Sequence, residues 1–100
     1  MASYFLTNKA VEDLSKIWDY TYEIWSENQA DNYYELIIES CNEIAQTPEI
    51  GKSYDDISPD VFGFYSGKHI IFYRKISLKR IEILRILHGR MDLKNRLMID

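Results

Sequence analysis

His69 and His88 are the chain's only two histidines, and Cys41 is its only cysteine. Each histidine stands at one end of a run rich in β-branched residues. If those runs pair, the imidazoles stand side by side. Histidine titrates near neutrality, so such a pair could move a proton in acid–base chemistry. The plainer role is a histidine hydrogen-bonded at a strand end. One thiol and two imidazoles do not complete a metal's ligand shell without carboxylates, and none stands at ligand spacing, so no metal is expected. There is no phosphate-cradling glycine loop, dinucleotide fingerprint, C-x-x-C or H-E-x-x-H, and no cofactor is expected.

The charged residues carry more information. The net charge is −4. Residues 1–60 hold three Lys against thirteen Asp or Glu, whereas residues 61–100 hold nine Lys or Arg against three acids. That split implies two working surfaces, or an acidic half folded against a basic one. Asp31, Glu35, Glu39 and Glu43 repeat at i, i+4, which makes one acidic helix face; it is either solvated or meets a basic segment. Arg74, Lys75, Lys79, Arg80, Arg85, Arg90, Lys94 and Arg96 cluster late in the chain. With Phe72 and Tyr73 among them they could hold phosphates and stack on bases. They could equally guard a sheet edge with charge.

These side chains need elements to position them. One hundred residues, 46% hydrophobic and 28% charged, make one globular domain over residues 1–100, with core enough to fold without disulfides. "SYFLT" (Ser3 to Thr7) reads as a strand, with Thr7 or Asn8 as a helix cap. Ala10, Leu14, Ile17, Trp18, Ile24 and Trp25 follow at helical spacing and are expected to face a core. Ala30, Tyr33, Tyr34, Ile37, Cys41, Ile44 and Ala45 make a second stripe. One helix through both would reach about 60 Å at 1.5 Å per residue, against a radius of gyration of about 13 Å for a domain this size. The helix must therefore break. Ser26 and Gln29 have the spacing of a capping box and predict an antiparallel turn there. Thr47-Pro48 ends the second helix.

Residues 49–60 read as a loop, with turn chemistry at Gly51, Asp55-Asp56 and Ser58-Pro59. "VFGFY" and "HIIFYRKI" flank "SGK" and predict a β-hairpin. "RIEILRILH" is the last strand. Its adjacent apolar pairs, Ile83-Leu84 and Ile86-Leu87, predict cover on both faces, the second cover being a C-terminal turn with Leu93 and Leu97 or a partner. The fold class is α+β in the order β-α-α-β-β-β. An antiparallel helical hairpin packs on one face of a small antiparallel sheet, and a short C-terminal helical turn follows. The aromatic stripe Trp18, Tyr22, Trp25, Tyr33, Tyr34 reads as mostly core, with at least one ring patch left exposed across the hairpin for a protein partner. No apolar run spans a bilayer and no leader precedes the domain, so a cytoplasmic protein without membrane contact is expected.

"GKHIIFYR" (Gly67 to Arg74) and "IEILRILHGRMDLKNRL" (Ile81 to Leu97) resemble the C-terminal half of ParE toxins, of the RelE/ParE superfamily of bacterial type II toxin–antitoxin systems. "LTNKAVEDLSKIWDY" and "QADNYYELI" resemble that family's helical hairpin. The resemblance implies the same fold. It also implies a toxin that poisons DNA gyrase by protein–protein binding, without catalytic residues of its own, neutralised in a hetero-oligomer by a ParD-like antitoxin. RelE-like relatives instead cut ribosome-bound messenger RNA. Where these carry polar residues, this chain has Ile70, Met91 and Leu97, which neither take a proton nor hold a charged transition state. Where many ParE-like chains carry Arg, it has Phe62. The resemblance implies antitoxin contacts at Trp18, Trp25, Tyr33, Arg74 and Arg85, and target contacts at Arg90, Met91 and Arg96. No sequence-specific nucleic-acid binding is expected. A messenger RNA endonuclease and an inert toxin-derived binding module are the alternatives.

Overall fold

A computed structural model of the chain describes residues 3–89. The expected C-terminal turn and Arg90, Met91, Arg96 and Leu97 lie outside the described residues. Strand β1 spans Ser3–Leu6, helix α1 Asn8–Ile24 and helix α2 Glu27–Gln46. A 3₁₀ turn at Pro48–Ile50 leads to a two-residue strand β2, Lys52–Ser53; β3 spans Phe62–Ser66, β4 His69–Ser77 and β5 Arg80–His88. No helix among the described residues is long and apolar enough to cross a membrane.

The caps act where the side-chain chemistry requires. Thr7 Oγ1 accepts the Ala10 N–H at 3.1 Å and starts α1. Ser26 Oγ accepts the Gln29 N–H at 3.1 Å and starts α2, leaving only Trp25 and Ser26 between the helices. Each cap satisfies a donor that the first helical turn leaves without a carbonyl. The break keeps the Cα radius of gyration at 13.1 Å.

The sheet order is β1-β5-β4-β3-β2. The β3–β4 hairpin forms at Gly67, whose φ of 62° suits the first central position of a tight hairpin turn. A Cβ there would lie 2.6 Å from Tyr33 Oη, so both conformation and space require glycine. One pairing differs from the expected antiparallel sheet: β1 lies parallel to β5, Ser3 opposite Arg80 through Leu6 opposite Ile83. The helical hairpin and then β2, β3 and β4 all lie between these two strands in sequence, so no short connection forces them antiparallel; short connections hold only for the later strands.

β5 explains its own irregular pattern. Phe72 pairs with Arg85 but Tyr73 with Ile83, so Leu84 is an extra residue, a β-bulge. The bulge resets the alternation. Ile81, Ile83 and Ile86 join the helix-side core with Ala10, Leu14, Ile37, Cys41, Ile44, Ile71 and Tyr73. Leu84 and Leu87 join Val61, Ile70 and Phe72 on the other face, with Tyr54 and Ile57 packed on them. The second cover seen among the described residues is thus the 54–61 loop, whose Tyr54 ring meets Phe72 edge-on at 5.2 Å.

Beyond Ile83, no strand among the described residues pairs with β5 on its β1 side, because β1 ends at Leu6. Helix α1 supplies the missing partners. Thr7 N–H donates to Ile83 O at 3.0 Å, and its hydroxyl donates to Leu84 O at 2.8 Å. Asp13 Oδ2 accepts the Ile86 N–H at 3.0 Å, while Arg85 donates to the same carboxylate through Nε at 2.7 Å and a terminal nitrogen at 2.9 Å. The Arg85 and Asp13 side chains are only 14% and 10% exposed. Hydrogen bonding to Asp13 raises the Arg85 pKa, against the opposing effect of burial.

Asp13→Ala takes the carboxylate from both the guanidinium and the Ile86 N–H. Its expected cost is about 3 kcal/mol in urea unfolding. Asp13→Asn, which keeps one acceptor, costs less. A loss below about 1 kcal/mol for the alanine variant contradicts this account of the clamp.

Candidate functional site

Helix α1 divides into two parts. Its first half places Ala10 and Leu14 in the core. Its second half runs past the sheet, and the end of the stripes expected to face a core comes out into solvent: Tyr22 is 50%, Ile24 56% and Trp25 70% exposed, and their neighbour Tyr20, in neither stripe, is 65% exposed. The aromatic run is therefore mostly surface. Trp18 is half-buried, stacks on Tyr22 with centroids 5.3 Å apart and planes 7° apart, and donates through Nε1 to Asp31 Oδ1 at 3.0 Å. That bond ties α1 to α2 and sets the indole on the wall of a hollow of about 450 Å³. Leu6, Val11, Leu14, Tyr34 and Ile38 complete its apolar lining, and Asp19 and Asp31 its acidic rim.

A second cleft, about 510 Å³, lies between α1 and the ends of the central strands. Lys16, Ile17, Tyr20 and Thr21 form one wall, and His69 and Arg85 to His88 the other. His69 pairs in register with His88, their ring centroids 5.3 Å apart. Tyr33 Oη, from α2, stands 2.7 Å from His69 Nδ1 and accepts the Lys68 N–H at 2.9 Å. The two histidines are side by side, and His69 is held in the strand-end bonding that was the plainer of its two readings. Burial, then the neighbouring His88, lowers its pKa from 6.5 to about 4, with Asp13 pulling the other way. At neutral pH the ring is uncharged.

The five residues marked for an antitoxin do not form one surface. Trp18 and Trp25 share α1, two turns apart. Tyr33 turns toward the Gly67 bend and His69. Arg74 stands opposite Glu82 and, by strand alternation after Ile70 and Phe72, belongs to the sheet face away from the helices. Arg85 is held by Asp13. Phe72 and Tyr73 are fully buried, so the rings among the cations are unavailable for stacking on bases. Tyr73 instead donates to Pro48 O at 2.6 Å and accepts the Gly51 N–H at 3.0 Å. Ile70, the first position where RelE-like chains are polar, is also fully buried, in the apolar cluster beneath Tyr54 and Ile57.

Sequence reasoning missed Asp13 and Tyr20. Asp13 left a readable signal: it falls three residues after Ala10 and four before Ile17, so a carboxylate stands on the stripe facing the core. Burial there demands a partner.

The family described as "ParE toxin of type II toxin-antitoxin system, parDE" matches residues 4–93. Toxin ParE1 of Mycobacterium tuberculosis is 35% identical over 94 residues, 94% of this chain and 96% of that protein. Toxin ParE1 of Caulobacter vibrioides is 32% identical over 97 residues, covering 97% and 99% of the two chains. A solved structure described as a chromosomal ParDE TA system from P. aeruginosa superposes with a TM-score of 0.76 at 26% identity, covering 88% of this chain and 96% of that one.

The low His69 pKa has a definite sign. The unfolded chain takes up the proton near pH 6.5 and the folded chain near 4, so stability is complete above about 6.5 and falls as pH drops toward 4. The contribution is at most about 3 kcal/mol, and less because solvent reaches part of the ring. Urea midpoints between pH 7 and pH 4.5 are expected to fall more for the wild type than for His69→Gln. Equal falls contradict the assignment.

Proposed function

The chain belongs to the ParE toxin family of type II toxin–antitoxin systems, and from that premise we propose that it acts in the cytoplasm by binding DNA gyrase and holding it on cleaved DNA, and that a ParD-like antitoxin neutralises it by covering the helical hairpin. The observation that carries the binding reading is the solvent-exposed run of Tyr20, Tyr22, Ile24 and Trp25 along the end of α1. Aromatic side chains in such a run supply the anchors that dominate protein–protein contacts. An amphipathic partner helix fits the hollow between the helices, with Trp18, Val11 and Tyr34 below it.

The same geometry weighs against transcript cleavage. A general acid–base group and cations must converge on an open site to cleave RNA. Ile70 is sealed under the 54–61 loop, and Arg85 is committed to the Asp13 carboxylate. The gyrase target rests on kinship with ParE toxins; Arg90, Met91 and Arg96 stay proposed as its contacts, and Arg74, on the sheet's other face, as a steering charge for the antitoxin.

Purified toxin added to gyrase and supercoiled plasmid is expected to accumulate linear DNA and to slow supercoiling. Unchanged supercoiling and cleavage at toxin in excess over gyrase removes the target. Cut transcripts in a translating extract would restore the nuclease reading. On the antitoxin side, Trp25→Ser and Tyr22→Ser are each expected to weaken binding about 10- to 100-fold, or about 1–3 kcal/mol. Both side chains are exposed, so calorimetric titration reads the interface and not the fold. Unchanged affinity in both places the antitoxin elsewhere.

A further inference from the structure

The turn between β4 and β5 takes no part in the core, the hairpin surface or the His69 network. Ser77 pairs with Arg80, so Leu78 and Lys79 form the tip. Leu78 is 99% and Ile76 52% exposed. Four of the seven residues from Arg74 to Arg80 are cationic. A register shift between Lys75 and Ser77 leaves Ile76 as an extra residue, and a bulge of this kind increases the twist of the ribbon.

The cations fall on both faces of that ribbon. Lys75 is on the helix side, its Nζ 5.5 Å from the Phe62 ring centroid and 3.8 Å from Glu49. Arg74 belongs to the opposite face, across from Glu82. Arg80 holds its guanidinium over the Phe5 ring at 4.6 Å, at the base of the tip. Lys79 and Leu78 project beyond it. Even with Glu82 and Glu49 counted, positive charge prevails at this end of a chain whose net charge is −4.

We propose that the β4–β5 tip enters a groove of duplex DNA without reading sequence, its cations meeting phosphates on both groove walls and Leu78 wedging against a base step. β1 flanks β5 as far as Arg80, where Ser3 N–H donates to Lys79 O at 2.8 Å, so the two-residue tip leads into the groove, which admits an element as narrow as a β-ribbon, and the flanking strands stay at its mouth. Phosphate contacts supply sequence-independent affinity, and an apolar side chain at the leading edge is what unstacks a base step. A flat acidic peptide would engage one face of the ribbon, whereas cations here lie on both. One fully exposed leucine beside one half-exposed isoleucine offers little apolar surface to anchor in a bilayer. The contact stands independently of gyrase as the target, so either can fail without the other.

The test is fluorescence anisotropy of a labelled duplex of roughly 20 base pairs, titrated with the purified full chain between about 50 and about 200 mM salt. The expected Kd at the lower salt is about 10⁻⁴ to 10⁻⁶ M, weakening about 100-fold across the range for about four phosphate contacts. Lys79→Ala lowers the slope of log affinity against log salt by about one. Leu78→Ser weakens binding several-fold and leaves the slope unchanged. Leu78 is exposed, so its substitution tests binding without disturbing the core. No anisotropy change at the lower salt overturns the proposal. So does binding that both variants leave intact, which places the contact elsewhere, and so does Leu78-dependent capture by phosphatidylserine vesicles with no binding to the duplex.

Discussion

The structure turns on one backbone problem. β5 gives the helix-side core Ile81, Ile83 and Ile86, yet β1 covers only its first half. Past Ile83 its backbone groups would face the interior without ladder partners, at a cost of about 1–3 kcal/mol each. Helix α1 meets them with side chains: the Thr7 hydroxyl on Leu84 O and the Asp13 carboxylate on Ile86 N–H. Asp13 then carries a charge into a site that is largely closed to water, and Arg85 balances it in bidentate geometry. Helix cap, bulge and ion pair form one linked device. It fixes where α1 crosses the sheet, and so how far the helix extends beyond it.

That extension creates the exposed surface. Because α1 is pinned near its start, its last two turns carry Tyr20, Tyr22, Ile24 and Trp25 past the region that the sheet can cover. The Trp18–Asp31 bond and the Trp18–Tyr22 stack keep the rings ordered. A protein that works by gripping others needs such a preordered apolar face, since immobilising side chains on association costs affinity. The Tyr33–His69–Lys68 network does comparable service at the other end, joining α2 to the β3–β4 turn.

The basic residues, adjacent in sequence, are dispersed by the fold into different roles. Arg85 is internal and structural. Arg74 is on one face of the sheet and Lys75 on the other. Lys79 and Arg80 follow an exposed leucine. Their shared sign says little about shared work, because a strand alternates its side chains and a bulge shifts the alternation by one. Sequence clustering of charge is thus a poor guide to a surface wherever the chain runs as strand.

Much was legible in the residues alone. Periodicity, Ser26, Pro48 and Gly67 determined two helices, their break and the hairpin, because caps, prolines and glycines act on their own few neighbours. The paired apolar residues of β5 correctly announced cover on both faces. The quoted segments pointed to the toxin family, which the matching relatives support over nearly the whole chain. Only the tertiary structure decided that β1 runs parallel to β5, that the end of α1's apolar stripe faces solvent, and that Phe72 and Tyr73 are sealed away from any base. Each of these depends on contacts between residues distant in sequence, from Tyr73 with Pro48, 25 positions apart, to Asp13 with Arg85, 72 apart. A local pattern records that a side chain wants cover; it does not record whether the fold has a neighbour to provide it.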